Sequence, residues 1–241
     1  MAERRNWTWE ETVLAMALYM RVPFGSINQG NPQVCALAKL LGRTPGAVGM
    51  KMCNLARFDE KLHARNVSGL VNGGKMDERV WREFIGDLPK LAEAERTVMA
   101  QYFHQHAKPK PQDVREVQED FFREMVLGQY HHTCCMSGLQ IEELVTVNRL
   151  KASGTAGELM DPANGLCLNM LYSKAFDAGL LTIDSSYRIV VSAQLSQRPH
   201  LNEETRSWLR AAGGREILLP ERSLPGCRYI EYHNDTVFQH A

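Results

Sequence analysis

With 241 residues, 44% of them hydrophobic and 23% charged, the chain has the composition of a folded globular protein and excludes a disordered one. The length accommodates two modest domains. No apolar run approaches the ~18 residues a membrane-spanning helix needs, and MAERRNWTWEE has no apolar stretch after its arginines, so the expectation is a cytoplasmic protein without membrane partner or secretory leader.

Net charge is zero but unevenly spread: residues 1–110 hold 16 Lys/Arg against 11 Asp/Glu, and residues 111–241 hold 12 against 17. Such asymmetry fits a nucleic-acid-binding first half, or chance variation between two solvated surfaces. The six cysteines, at 35, 53, 134, 135, 167 and 227, form no CxxC pair, which argues against a zinc ribbon. Cys35 and Cys53 read as core residues.

The elements follow in chain order. Thr8 is a good N-cap for a helix over 9–20, with Glu10 and Glu11 in its first turn. Asn31-Pro32 opens a second helix, whose Val34, Leu37 and Leu41 share a face, and Gly42 ends it. Thr44-Pro45 opens a third. A loop over 66–75 precedes helices over 76–84 and 89–105. KPKPQD (108–113) reads as a linker, which divides the chain into 1–107 and 114–241. Beyond it, a helix over 114–130 gives way to mixed structure: strands over 141–150 and 165–168, a helix over 169–177, and a hairpin around Ser185-Ser186. A helix over 203–214 follows, and ILLP and CRYIEYH read as short strands or extended segments. The fold class is α+β, a helical region followed by mixed structure.

The opening RNWTWEE and the segment LAKLLGRTPGAVGMKM resemble Myb/SANT-type helix-turn-helix modules over residues 5–57. Such modules often lay their third helix in the DNA major groove. Here the resemblance implies DNA contacts from Arg43, Lys51 and Arg57. The small residues Gly46, Ala47 and Gly49 suit packing or protein binding equally well.

The second half resembles the HNH, or ββα-metal, endonucleases from about residue 121 to 194. FFREMVLGQYHHTCCMSG looks like the family's helix and its Tyr…Cys-x-x-Thr-Gly stretch, and ELVTVNRLKAS like its first strand. DPANGLCLNMLYSKAFDAGLLTID looks like the Asn-Gly turn, second strand and helix. In the family a first-strand histidine is the general base, a helix histidine helps hold a metal, and an asparagine between them orients the backbone and the base. The resemblance places Asn148 at the first position, Tyr172 or Ser173 at the second, and Asn164 in the middle. An amide cannot take a proton from water, and a phenol is a poor Mg²⁺ ligand at neutral pH. Asp177 is a candidate metal ligand. His131, His132, Asp161, His233 and Asp235 are candidates to substitute, and Arg149 and Lys151 to grip phosphate.

Three functions follow. The chain binds DNA without cutting it, or cuts only weakly, in restriction or phage defence. Alternatively it is an active endonuclease using Mg²⁺ or Mn²⁺ on substituted ligands. Or it is a non-catalytic interaction subunit, pairing with an intact nuclease as a silent partner or inhibitor; the expected partners are DNA and a protein partner or a second copy of the chain.

Overall fold

The computed structural model describes residues 5–63, 74–103, 114–196 and 198–239. It divides into two units, Met1–Met125 and Val126–Ala241. The expected linker at 108–113 and most of the expected loop at 66–75 lie outside the described residues.

The first unit is helical: α1 (Trp9–Arg21), α2 (Pro32–Leu41), α3 (Pro45–Ala56), the single turn α4 (Glu60–His63), α5 (Lys75–Phe84), α6 (Leu88–Phe103) and the start of α7 (Val114–Gln129). Thr8 caps α1 as expected: its hydroxyl accepts from the Glu11 N–H at 3.2 Å while Glu11 Oε2 accepts from the Thr8 N–H at 3.1 Å. This reciprocal box satisfies two of the donors every helix start leaves open. Residues 11–19 of α1 are buried on all sides, because α3, α5 and α6 all pack on it. Asn31 and Thr44 cap α2 and α3, and Gly42 takes the left-handed φ of 61° that ends α2. A core of Leu14, Leu41 and Val98 is covered by Trp7, Trp9 and Tyr102.

The second unit holds the sheets. β1 (Val145–Arg149), α8 (Ala156–Leu159), β2 (Gly165–Asn169) and α9 (Met170–Asp177) come first. Then come β3 (Leu181–Ile183), β4 (Ile189–Val191), α10 (Ala193–Ser196), α11 (Glu203–Ala212) and α12 (Cys227–Thr236). β1 and β2 pair antiparallel from Val145↔Asn169 to Arg149↔Gly165, and β3 and β4 form the expected hairpin. In its turn Asp184 Oδ1 accepts from the N–H groups of Ser186 and Arg188.

Two expectations are corrected. The strand foreseen over 141–150 begins only at Val145, after a 3₁₀ turn over Glu142–Leu144. Its partner strand stops at Asn169, where α9 begins, so residues 141–144 have nothing in β2 to pair with. CRYIEYH, read as extended, is the body of α12. Its buried residues are Tyr229, Ile230 and His233, which is helical spacing rather than alternation. The reach of this helix explains Gly179, whose φ is 67° and where a Cβ would lie 2.1 Å from the Val237 carbonyl oxygen. Only glycine fits both constraints.

Candidate functional site

The pieces that resembled a nuclease form one local unit. β1 and β2 make a two-stranded ribbon, and α9 packs on both strands. β2 runs straight into α9 because Asn169 closes the ribbon and caps the helix, its Oδ1 accepting from the Tyr172 N–H at 2.9 Å.

Asn164 is fully buried and acts as a clamp on the connection between the strands. Its Oδ1 accepts from the Lys151 N–H at 2.8 Å, and its Nδ2 donates to the Lys151 carbonyl at 2.9 Å and the Glu158 carbonyl at 3.0 Å. One amide thus pins both the exit of β1 and the far side of its loop. Asn148 projects toward α9, and its Nδ2 donates to Asp177 Oδ1 at 2.8 Å. Only the NH₂ end of an amide can face a carboxylate this way. That fixes Asn148 Oδ1 elsewhere, where it is buried without a hydrogen-bond partner among the described residues.

Tyr172 does not join this pair. Its ring packs on Trp208 of α11 with centroids 5.4 Å apart, and burial pushes its phenol above the ordinary value. Ser173 is buried and lies one turn before Asp177, on the same side of α9. Between the two candidate helix positions, Ser173 is therefore the one on the side that meets Asn148. The structure brings together Asn148 and Asp177, and turns Asn164 to the loop and Tyr172 to Trp208.

The substitute groups go elsewhere. His131 and His132 sit at φ 50° and 53° in the turn after α7, and His132 Nδ1 lies 3.8 Å from Glu142. Asp161 accepts from Arg228 and from the Tyr229 hydroxyl at 3.0 Å, and Asp235 is exposed on α12. His233 is buried with its ring stacked 3.8 Å from Phe176, its Nδ1 2.9 Å from Thr182 Oγ1. Burial pushes its pKa down to about 4, against the opposing Phe176 carbonyl and Asp177. Among the described residues no three His, Cys, Asp or Glu side chains come close enough to share an ion. A divalent ion at the ββα unit would find one carboxylate already engaged by an amide, and this donor set does not fit it.

The residues expected to contact phosphate all have partners within the chain. Lys51 is buried in an ion pair with Asp77, and Arg43, itself nearly buried, pairs with Glu11 at 2.7 Å. Burial pushes the Glu11 carboxyl up, but the Arg43 guanidinium, the Thr8 N–H and Arg5 together hold it below the usual range. Arg149 Nε donates to the Leu159 carbonyl at 3.0 Å, and Lys151 meets Glu158 at 2.7 Å. Lys151 and the cap at Thr155 hold the Glu158 carboxyl down to about 2. Arg57 lies over the Phe58 ring at 5.0 Å. Long basic side chains of this kind can lay their stems along apolar surface while their heads meet a carboxylate, a carbonyl or a ring.

Sequence reading missed a second feature. The first unit has an open cleft of about 810 Å³, lined among others by Arg5, Trp7, Arg43, Lys51, Asn54 and Lys75. Its residues come from three separated stretches, 5–7, 42–54 and 74–77, so Trp7, Arg43 and Lys51 stood out in the sequence but their meeting in one cleft did not. Compared with known protein families and with curated proteins, the chain matches none.

Proposed function

We propose that the chain is a DNA-binding protein with a nuclease-like ββα unit that does not cut. The observation that carries this reading is the Asn148–Asp177 hydrogen bond. At the position where the resemblance implies a general base there is an amide, and its NH₂ is spent on the carboxylate that a metal would need. Losing general-base help alone costs ~10²–10⁴-fold in rate. The clamp by Asn164 supports the frame, and the positive balance of the first 110 residues supports a polyanionic partner.

The test is plasmid incubation with Mg²⁺, Mn²⁺, Ni²⁺ or EDTA, alongside duplex binding at low and high salt. The expected result is salt-sensitive binding without nicking. Metal-dependent cleavage abolished by Asp177→Ala would overturn the reading.

One observation favours an interaction subunit instead. Met170 and Leu171 at the start of α9, and Leu218 and Leu219, are half exposed or more. Asn169 bonds Ser137, and the Leu218 N–H donates to Cys135, so both apolar pairs flank the segment 135–137. Exposed apolar groups gathered this way suit a protein partner. Absence of duplex binding at low salt would favour this second reading.

A further inference from the structure

We propose that the cleft of the first unit binds a nucleotide, taking a base against its inner wall and a phosphate at its rim. The inner wall is a layer of cations on an aromatic ring: the Arg43 guanidinium lies 4.1 Å from the Trp7 ring centroid and the Lys51 ammonium 4.9 Å. Both cations are nearly buried and held by carboxylates, Arg43 by Glu11 and Lys51 by Asp77, so the layer is rigid before any ligand arrives. Nucleobases stack on aromatic rings and on guanidinium planes alike, at ~1–3 kcal/mol per base. Met50, 55% exposed, and Met76 add apolar surface. The side-chain amides of Asn6 and Asn54 offer both donors and acceptors for a base edge.

Charge decides the other half of the ligand. Arg5, Arg43, Lys51 and Lys75 line the cleft, while the carboxylates among and behind them are Asp77 and Glu11. The balance is two positive charges. The surplus sits outward: Lys51 is matched by Asp77, Arg43 and half-exposed Arg5 share the single charge of Glu11, and Lys75 is exposed at the first position of α5. The N-terminal turns of α3 and α5 also open on the cleft, with Thr44 and Ala47 on one side and Gly74 to Asp77 on the other. Their dipoles add to the attraction for an anion. A cleft of about 810 Å³ lies within the size range of small-ligand sites. A phosphate with a flat aromatic group fits these features, and an acidic peptide would leave the stacking layer unused.

This inference rests on the nucleic-acid reading above and shares Arg43 and Lys51 with its expected DNA contacts, but it lies away from the ββα unit and its failure is separable. The experiment is amide and indole nuclear magnetic resonance of the full chain, titrated with dAMP, a single-stranded octathymidylate, inorganic phosphate and hexaglutamate. The expected result is saturable shifts of the Trp7 indole N–H and the Asn54 side-chain amide with dAMP, the octamer or both. Response to dAMP identifies a free nucleotide as ligand, and response to the octamer alone identifies a strand. Lys75→Glu, an exposed change compatible with a helix start, should weaken that binding at least about tenfold, equivalent to about 1.4 kcal/mol, with the melting temperature unchanged. The proposal is overturned if neither nucleotide probe moves Trp7 and Asn54, if phosphate or hexaglutamate binds there as tightly, or if Lys75→Glu leaves affinity intact. Duplex binding that survives Lys75→Glu leaves the non-cleaving DNA reading standing while this one falls.

Discussion

Asn148 Nδ2 donates to Asp177 Oδ1 across 2.8 Å and ties β1 to the last turn of α9, while the other end of the same amide is buried without a partner among the described residues. Replacing Asn148 by Asp turns this bond into a contact between two carboxylates. Like charges so close raise a carboxyl's pKa, so the penalty is present at neutral pH and vanishes as acid protonates the pair. Asn148→Asp should lose about 1–2 kcal/mol at pH 7 relative to the parent chain, and close most of that gap near pH 4. Urea unfolding at the two pH values measures it. Mn²⁺ should restore part of the loss at pH 7, since two carboxylates supply hard oxygen ligands that one did not.

The same geometry selects which substitutions would build a metal site. Ser173 is buried on the side of α9 that carries Asp177, whereas Tyr172 is packed on Trp208. Asn148→His with Ser173→His places two imidazoles beside one carboxylate, a common donor set for Zn²⁺, Ni²⁺ and Co²⁺. The double variant should bind Co²⁺ with the visible absorption of a low-coordinate ion. Asn148→His with Tyr172→His should show no such spectrum, and should lose about 1–3 kcal/mol of stability from the broken aromatic contact.

The Lys51–Asp77 pair joins α3 to α5 inside the first unit, with both side chains almost completely buried. Removing one partner leaves an uncompensated charge in a poorly solvated place. Lys51→Met or Asp77→Leu alone should therefore cost about 3–5 kcal/mol, while the double replacement should come close to the parent or exceed it. A thermal-melt double-mutant cycle reads this directly. It also separates a structural lysine from a phosphate contact, because a phosphate-binding Lys51 would lower DNA affinity in the double variant without a folding defect.

Much of the fold was legible because its signals are local. Thr8, Asn31, Thr44 and Gly42 mark helix ends by their own chemistry, and all four do so in the structure. Asp184 and the two serines fix the hairpin within six residues. The failures came where the deciding partner is distant. Nothing within 141–150 reveals that its partner strand ends at Asn169. CRYIEYH alternates well enough to pass for a strand, and becomes a helix because Tyr229, Ile230 and His233 find one buried surface together. The site was half legible for the same reason. The resemblance to the HNH endonucleases drew attention to Asn148, Asn164 and Asp177, but not to Asn164 clamping a loop or to Tyr172 turning to Trp208. Arg43 and Lys51 looked like free cations because Glu11 and Asp77, which bind them, lie 32 and 26 residues away.

His233 supplies a pH dependence whose sign is set by its surroundings. The ring is buried, stacked on Phe176, and burial pushes its pKa from 6.5 down to about 4. Between these two values the unfolded chain takes up a proton that the folded chain refuses, so stability falls as pH falls through this window and is fully present above it. The full difference corresponds to about 3 kcal/mol. Carboxylates held low, such as those of Glu11 and Glu158, also lose their contribution on acidification, so the parent chain alone cannot isolate the histidine. His233→Gln can, because glutamine offers an amide to Thr182 and Phe176 and has nothing to titrate. The variant should be less stable than the parent at pH 7, and the gap should shrink or reverse by pH 4.5. Parallel denaturation curves at pH 7, 6, 5 and 4.5 measure the difference. A gap that stays constant across the series would show that His233 is not the group whose protonation opposes folding.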